Sequence, residues 1–336
     1  MALGNAYLRE LSFSLDTALG HSDVEAARRE GHVFVAGLAR AGTSLLLRIL
    51  HGTGAFVSLS YRDMPFVLAP GLWGRVTGRF HKDGAARERA HGDGLDVDFD
   101  TPEAFEEVFW LTFAGHRYVG ADTLSEHGVD DETIAHFRQY VANVITRRRS
   151  SGPARYLSKN NNNILRLPAV LRAFREARAI VPLRNPLQHA ASILRQHQKF
   201  STRHRDDAFS RRYMCWLGHF EFGADHRPFR FGDTPFASPD KGPDTLDYWL
   251  RYWVYVHEAL LERLEDRIFL FDYDGLCQEP SHALARLADV VDIPSAALEE
   301  AAGAVRAPAE HRIDAPDEQL LAAANRIHEM LRARAI

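Results

Sequence analysis

Residues 37–44 read Gly-Leu-Ala-Arg-Ala-Gly-Thr-Ser, and they combine what an oxyanion needs. Gly37 and Gly42 let the backbone turn tightly, Arg40 supplies a fork of N–H donors, and Thr43 and Ser44 supply hydroxyls. The run before them, Val33-Phe34-Val35-Ala36, is apolar and suits a buried strand. The run after them, with Leu45, Leu46, Leu47, Ile49 and Leu50, reads as an apolar helix. A strand, a glycine-bounded loop and a helix start form an anion site, because the first helical N–H groups lack intrahelical partners and the helix dipole favours negative charge there. Phosphate or sulfate suits this chemistry. The bland alternative is an ordinary strand–turn–helix corner with a solvated arginine.

The spacing from Gly37 to Ser44 is that of a nucleotide-triphosphate P-loop, with Thr43 in place of the lysine. A kinase or ATPase would lose its main side-chain charge on the β- and γ-phosphates. A second segment, Ala179 to Ser192, repeats the pattern of an apolar run ending in chemistry. Arg184 stands at the carboxyl end of the expected strand, Asn185 suits a helix N-cap and Pro186 the first helical position. Ser192 falls about two turns into that helix, so both it and Arg184 can face a group bound above the sheet edge.

These two segments resemble the cofactor motifs of sulfotransferases that use 3′-phosphoadenosine 5′-phosphosulfate. The loop GLARAGTSLL resembles their 5′-phosphosulfate loop, and RNPLQHAAS resembles their 3′-phosphate site, with arginine and serine eight residues apart. The resemblance covers roughly residues 31–292 in outline. It implies an α/β fold: a P-loop-like parallel β-sheet flanked by helices, with ligand at the carboxyl ends of the strands. It also implies that Arg40, Ala41, Gly42, Thr43 and Ser44 hold the 5′ end of the donor, and Arg184 and Ser192 its 3′-phosphate. Lys159, at the end of the short strand Tyr156-Leu157-Ser158, is the expected charge on the transferring group, with Arg40 as its partner. No metal is expected.

The general base is open at this stage. Where cytosolic members carry a catalytic histidine two positions after the lysine, this sequence has Asn161. Asp63, just after the expected second strand Ala55–Leu59, is the first choice, and His91 is the second, with Asp93 beside it. The late RKG-type motif that also grips the 3′-phosphate is absent, and Arg203 or Arg205 is a substitute only by position. Two other classes remain as alternatives: a P-loop kinase or NTPase, and a non-catalytic binder of 3′-phosphorylated nucleotides.

Composition bounds the rest. The chain has 336 residues, 46% hydrophobic and 26% charged, enough for a large core, and net charge −4 gives no sign of a bulk nucleic-acid binder. Cys215 and Cys277 stand far apart with no CxxC, and the seventeen histidines show no HExxH spacing. Arg9, Glu10 and Asp16 break any secretory apolar region, and no apolar run approaches a membrane span, so a soluble, cytoplasmic protein is expected. The acceptor is read only as a small molecule or carbohydrate bearing a hydroxyl or amine. The basic stretch at Arg203, Arg205, Arg211 and Arg212 hints at an anionic acceptor, although surface charge explains it more cheaply.

One domain over 1–336 is expected, since no linker or repeat interrupts it, with a polar helical lead-in over 1–30. The charged, glycine-rich stretch 81–100 reads as a loop over the site. Thr101-Pro102-Glu103 predicts a helix start, Asp131 to Arg149 an amphipathic helix, and Asn163 to Ala177 another. Pro182 removes a ladder hydrogen bond from its strand. Leu246 to Leu264 is a strong helix whose Trp249 and Trp253 read as core. Arg267 to Phe271 is the last strand, with the turn from Asp272 after it, and 316–333 the closing helix.

Overall fold

Short β-branched and aromatic runs, buried on both sides, form the centre of the protein. The computed structural model describes residues 2–77, 87–88, 96–97, 101–148, 154–306, 313 and 316–336. Its central sheet has five strands: β1 (Val33–Val35), β2 (Phe56–Val57), β3 (Arg155–Lys159), β4 (Arg178–Leu183) and β5 (Ile268–Asp272). They lie in the order β2–β3–β1–β4–β5, all parallel, with Val33 opposite Leu157 on one side and Arg178 on the other. In such a sheet, ligands bind beyond the carboxyl ends of the strands. Those ends are Val35, two residues before Gly37, Lys159 itself, and Leu183, directly before Arg184.

Successive strand residues point to opposite faces, so each face has its own core. Val33, Val35, Leu157, Ile180 and Phe271 pack on one face, with Leu46, Leu47 and Leu50 of the helix Thr43–Gly52 and Leu284 and Leu287 of the helix Pro280–Val291. Phe34, Tyr156, Ala179 and Val181 pack on the other. There they meet α4 (Asp131–Arg148), α5 (Pro186–Asp206), α6 (Ala208–Leu217), α7 (Leu246–Glu262) and α9 (Glu318–Arg332). The labels α1 (Ala6–Leu19), α2 (Thr43–Gly52), α3 (Pro70–Thr77) and α8 (Pro280–Val291) complete the set used below. Trp249 and Trp253 of α7 are fully buried, as core residues.

Pro182 is accommodated by one-sided pairing: it lies beyond the β1 register and pairs only with Phe271 of β5, so its missing N–H costs the sheet nothing on the other side. Several other elements differ from the sequence reading. Thr101-Pro102-Glu103 does not start a helix: Pro102 bridges to Ser60, Glu103 N donates to Leu59 O (3.0 Å), and the helix begins at Glu107. An extended Thr101 before proline suits either a helix start or a strand-like segment, and the pairing with Leu59 and Ser60 selects the second. The stretch from Asn163 splits into a 3₁₀ turn, Asn161–Leu165, and a shorter helix, Leu167–Ala173. The turn expected after the last strand is a helix, Tyr273–Gln278, capped by the Asp272 side chain accepting from Gly275 N (3.0 Å). The expected loop 81–100 lies outside the described residues, except for an antiparallel backbone pair at 87–88 and 96–97.

Candidate active site

The loop between β1 and α2 is wound through left-handed backbone. Gly37, Arg40 and Gly42 have φ of 121°, 73° and 99°. Gly42 is required twice over, because a Cβ there would also lie 2.3 Å from the Tyr273 ring. Gly42 is the N-cap of α2 and offers no side-chain cap, so the first N–H groups of the helix face the loop without one. Arg40 pays the cost of positive φ without being glycine. Strain of this kind, of order 1–3 kcal/mol, persists where the surroundings fix it, and it clusters at functional sites.

Those surroundings come from the second segment. Asn185 caps α5 by accepting from Gln188 N (3.1 Å), with Pro186 in the first turn. One turn on, His189 is fully buried under the loop. Its Nδ1 accepts from Trp253 Nε1 (3.2 Å), which leaves Nε2–H to donate to Ala39 O (2.8 Å). Burial pushes this imidazole well below its ordinary value, so it stays neutral in that tautomer. Arg184 Nη1 donates to Arg40 O (3.2 Å), and Arg40 Nε donates to Ser192 Oγ (3.4 Å). The two segments, more than 140 residues apart in sequence, therefore interlock.

Arg184 is 5% exposed, lies over the Tyr273 ring at 5.8 Å, and its Nε is buried with no hydrogen-bond partner among the described residues. Burial pulls its guanidinium down from the usual arginine value, since the charge lacks solvent. A buried cation with an unspent donor is a fitting cradle for an anion.

A third group arrives from β3. Lys159 is its last residue and is buried. The asparagine loop that follows hangs on a buried charged network. Arg166 makes a bidentate pair with Glu107 (2.7 and 3.1 Å) and lies over the rings of Trp110 and Tyr118 at 4.9 and 4.5 Å. Asn160 Nδ2 donates to Glu107 Oε2 (2.7 Å), and Asn163 Nδ2 to Glu106 Oε1 (2.8 Å). Burial alone would raise the Glu107 carboxyl, but Arg166 outweighs it and holds it below the usual range. This network leaves Asn161 facing α2, where its Oδ1 accepts from Thr43 Oγ1 (3.4 Å).

Arg40, Thr43, Ser44, Lys159 and Asn161 line one cavity of about 200 Å³. Its far walls are mostly apolar: Phe105, Phe200, Tyr213, Met214, Leu217 and Phe222, with Arg203 also present. Two further lining residues escaped the sequence reading. Asn161 Nδ2 donates to Glu221 Oε1 (2.8 Å), and the same oxygen meets His219 Nδ1 at 3.3 Å. Burial would raise the Glu221 carboxyl, but His219 and then Lys159 outweigh it and hold it at about 2. The available signal was the His-x-Glu spacing in an aromatic stretch, which is weak without a partner motif.

Of the two residues expected as base, Asp63 does not line this cavity. Asp63 Oδ2 accepts from Ser60 N (2.8 Å) and from Arg148 Nη2 (2.7 Å), closing a capping box and a partly buried ion pair; its carboxylate is held by these contacts and is absent from the described lining. His91 lies outside the described residues, as does Asp93. Among the described residues, no group of His, Cys, Asp and Glu could hold a metal, and no helix is long and apolar enough to cross a membrane.

A parallel five-stranded sheet flanked by helices, with a glycine-bounded loop leading from its central strand into a helix, defines a P-loop-like α/β protein. The sequence matches the family model described as "Sulfotransferase family" over residues 32–227, more than half of the chain, so the protein belongs to the sulfotransferase family, a family of transferases. Among solved structures it is similar to sulfotransferase STF9 from Mycobacterium avium (17% identity, 98% of this chain and 83% of that one, TM-score 0.53). It is also similar to sulfotransferase STF1 from Mycobacterium tuberculosis H37Rv (14% identity, 98% and 82%, TM-score 0.51). At these identities the likeness is one of fold. A search of curated proteins finds no match.

Proposed function

We propose that this protein transfers a sulfuryl group from 3′-phosphoadenosine 5′-phosphosulfate to a hydroxyl or amine on a small, largely apolar acceptor. One observation carries the reading: Arg40 bonds Ser192 while Arg184 bonds the Arg40 carbonyl, so the two donor-type segments make a single site. The residues fit the donor. The buried, unpartnered Nε of Arg184 and the uncapped start of α2 both call for anionic oxygens. Arg184 and Ser192 would hold the 3′-phosphate, and Arg40 with Ala41, Gly42, Thr43 and Ser44 the 5′ end. When bound, the donor supplies an activated sulfuryl group.

The chain's own work is to orient, to stabilise charge and to move one proton. Lys159 and Arg40 would offset the negative charge that develops on the donor during transfer. His219 is the proposed base. Glu221, held ionised, keeps the proton on Nδ1 of His219 and leaves Nε2 to accept from the acceptor, the division of labour of a His–carboxylate pair. Asn161, in the place of the cytosolic enzymes' histidine, ties Glu221 to Thr43 and so sets this pair against the donor loop.

A kinase or NTPase reading lacks the lysine at Thr43. A pure binder would have no use for an ionised Glu221 and an imidazole in the acceptor half. The walls of Phe105, Phe200, Met214, Leu217 and Phe222 favour a ring or chain over a polysaccharide. The test is transfer of ³⁵S from labelled donor to 2-naphthol or to a neutral disaccharide. Label is expected on the naphthol; label on the disaccharide alone would overturn the acceptor class, and donor bound without transfer to any acceptor would favour the binder.

A further inference from the structure

Helix α1 wears its apolar face outwards. Eight large hydrophobic side chains stand exposed among the described residues, and five belong to this helix: Tyr7, Leu8, Leu11, Leu15 and Leu19, at 38% to 70% exposure. The face it turns to the protein is the more polar one. Asp16 accepts from Leu72 N (2.6 Å) and Gly71 N (3.4 Å) at the start of α3, and Thr17 Oγ1 accepts from Asn143 Nδ2 of α4 (3.3 Å). Arg9 Nη1 donates to Leu3 O (3.3 Å), and Phe13 is the helix's one buried hydrophobic side chain. Single exposed leucines are ordinary, but a contiguous row of them marks an interface.

The spacing says what kind. Leu8, Leu11, Leu15 and Ala18 follow in steps of three, four and three, the seam by which one helix packs against another, with Tyr7 and Leu19 on its flanks. The row also reads the same from either end about Phe13. Laid antiparallel on itself, it puts Tyr7 opposite Leu19, Leu8 opposite Ala18 and Leu11 opposite Leu15. That self-complementarity is what a two-fold interface requires, since residue i must meet residue j while j meets i.

We infer that α1 is a self-association surface, through which two copies of this chain pair about a two-fold axis with their α1 helices antiparallel. Charge disfavours a lipid surface as the occupant. Helices that lie on anionic membranes carry Lys and Arg along the polar face, whereas α1 has Arg9 against Glu10 and Asp16. Area sets the strength. Fourteen residues span about 21 Å at 1.5 Å each. Even with Val76 of the neighbouring α3, 58% exposed, the row falls short of the roughly 20–30 residues a side of a standard interface. The pair therefore forms at micromolar rather than nanomolar concentration.

Sedimentation velocity on the full chain, from about 1 to about 200 μM, tests this against the expected weak interface. The wild-type protein should pass from monomer to dimer across the series. Leu11→Glu and Leu15→Lys should each weaken the dimer at least about tenfold. Both positions are exposed, so melting should be unchanged. Mixed one to one, the two variants should dimerise again, because the antiparallel register sets the new carboxylate against the new ammonium. A wild-type monomer throughout would overturn the inference, as would a dimer indifferent to Leu11→Glu. Failure of the mixture to recover would overturn the antiparallel register. Flotation of monomers with phosphatidylglycerol vesicles would assign the face to lipid instead.

Discussion

At the residue scale the proposed chemistry rests on a few side chains and the partners each one has. His219 and Glu221 share an oxygen contact beside Lys159, while Asp63 is locked into Ser60 and Arg148. His219→Gln should therefore lower turnover about 10²–10⁴-fold, the usual loss of a general base, with nucleotide affinity kept. Asp63→Asn should leave turnover near normal and lower the melting temperature, because it breaks a partly buried ion pair and a capping box. Steady-state rates and thermal melts on the two variants separate these outcomes.

Glu221 carries a pH signature. Its folded value, about 2, lies below its ordinary 4.5, so it stabilises the fold above pH 4.5 and loses that contribution as pH falls towards 2. Glu221→Gln should melt below wild type at neutral pH, and the gap should close as melts are run down to acid pH. A constant gap would mean that Glu221 is not held ionised. The elements that carry Arg40, Thr43, Ser44 and Arg184 were legible, because apolar runs adjoin these residues in sequence. His219 and Glu221 were not, since the stretch carrying them has no period and their meaning comes only from Asn161, some sixty residues away.

At the scale of elements, the asparagine loop is held by the buried Arg166–Glu107 pair rather than by helix or strand. Removing one partner leaves the other charged and dry. Arg166→Met should cost about 3–5 kcal/mol of stability. Urea denaturation measures it, and a loss under about 1 kcal/mol, the value of an exposed pair, would place the pair in solvent. The five sheet strands were readable as short apolar runs. Local signals failed where two states use the same residues: Thr101-Pro102-Glu103 suits a helix start as well as an extended bridge, and only pairing with Leu59 and Ser60 decides between them. The network under the loop could not be read, because Glu107, Arg166 and Asn160 become partners only once the sheet has formed.

At the scale of the whole molecule, parallel pairing sets three loops from β1, β3 and β4 along one sheet edge, and the fold's work is to make them converge. The α/β class was implied by the resemblance of the two motif segments, while the strand order was not legible, because parallel neighbours leave no mark on sequence spacing. The central claim is that this edge holds a 3′-phosphorylated nucleotide. Isothermal titration of adenosine 3′,5′-bisphosphate and of ATP, with and without magnesium, tests it most directly. The account predicts that the bisphosphate binds at least about tenfold tighter than ATP without metal, and that Arg184→Ala costs it about 1.5–3 kcal/mol, the worth of a charged hydrogen bond. ATP binding as tightly as the bisphosphate, or binding that requires magnesium, would contradict it.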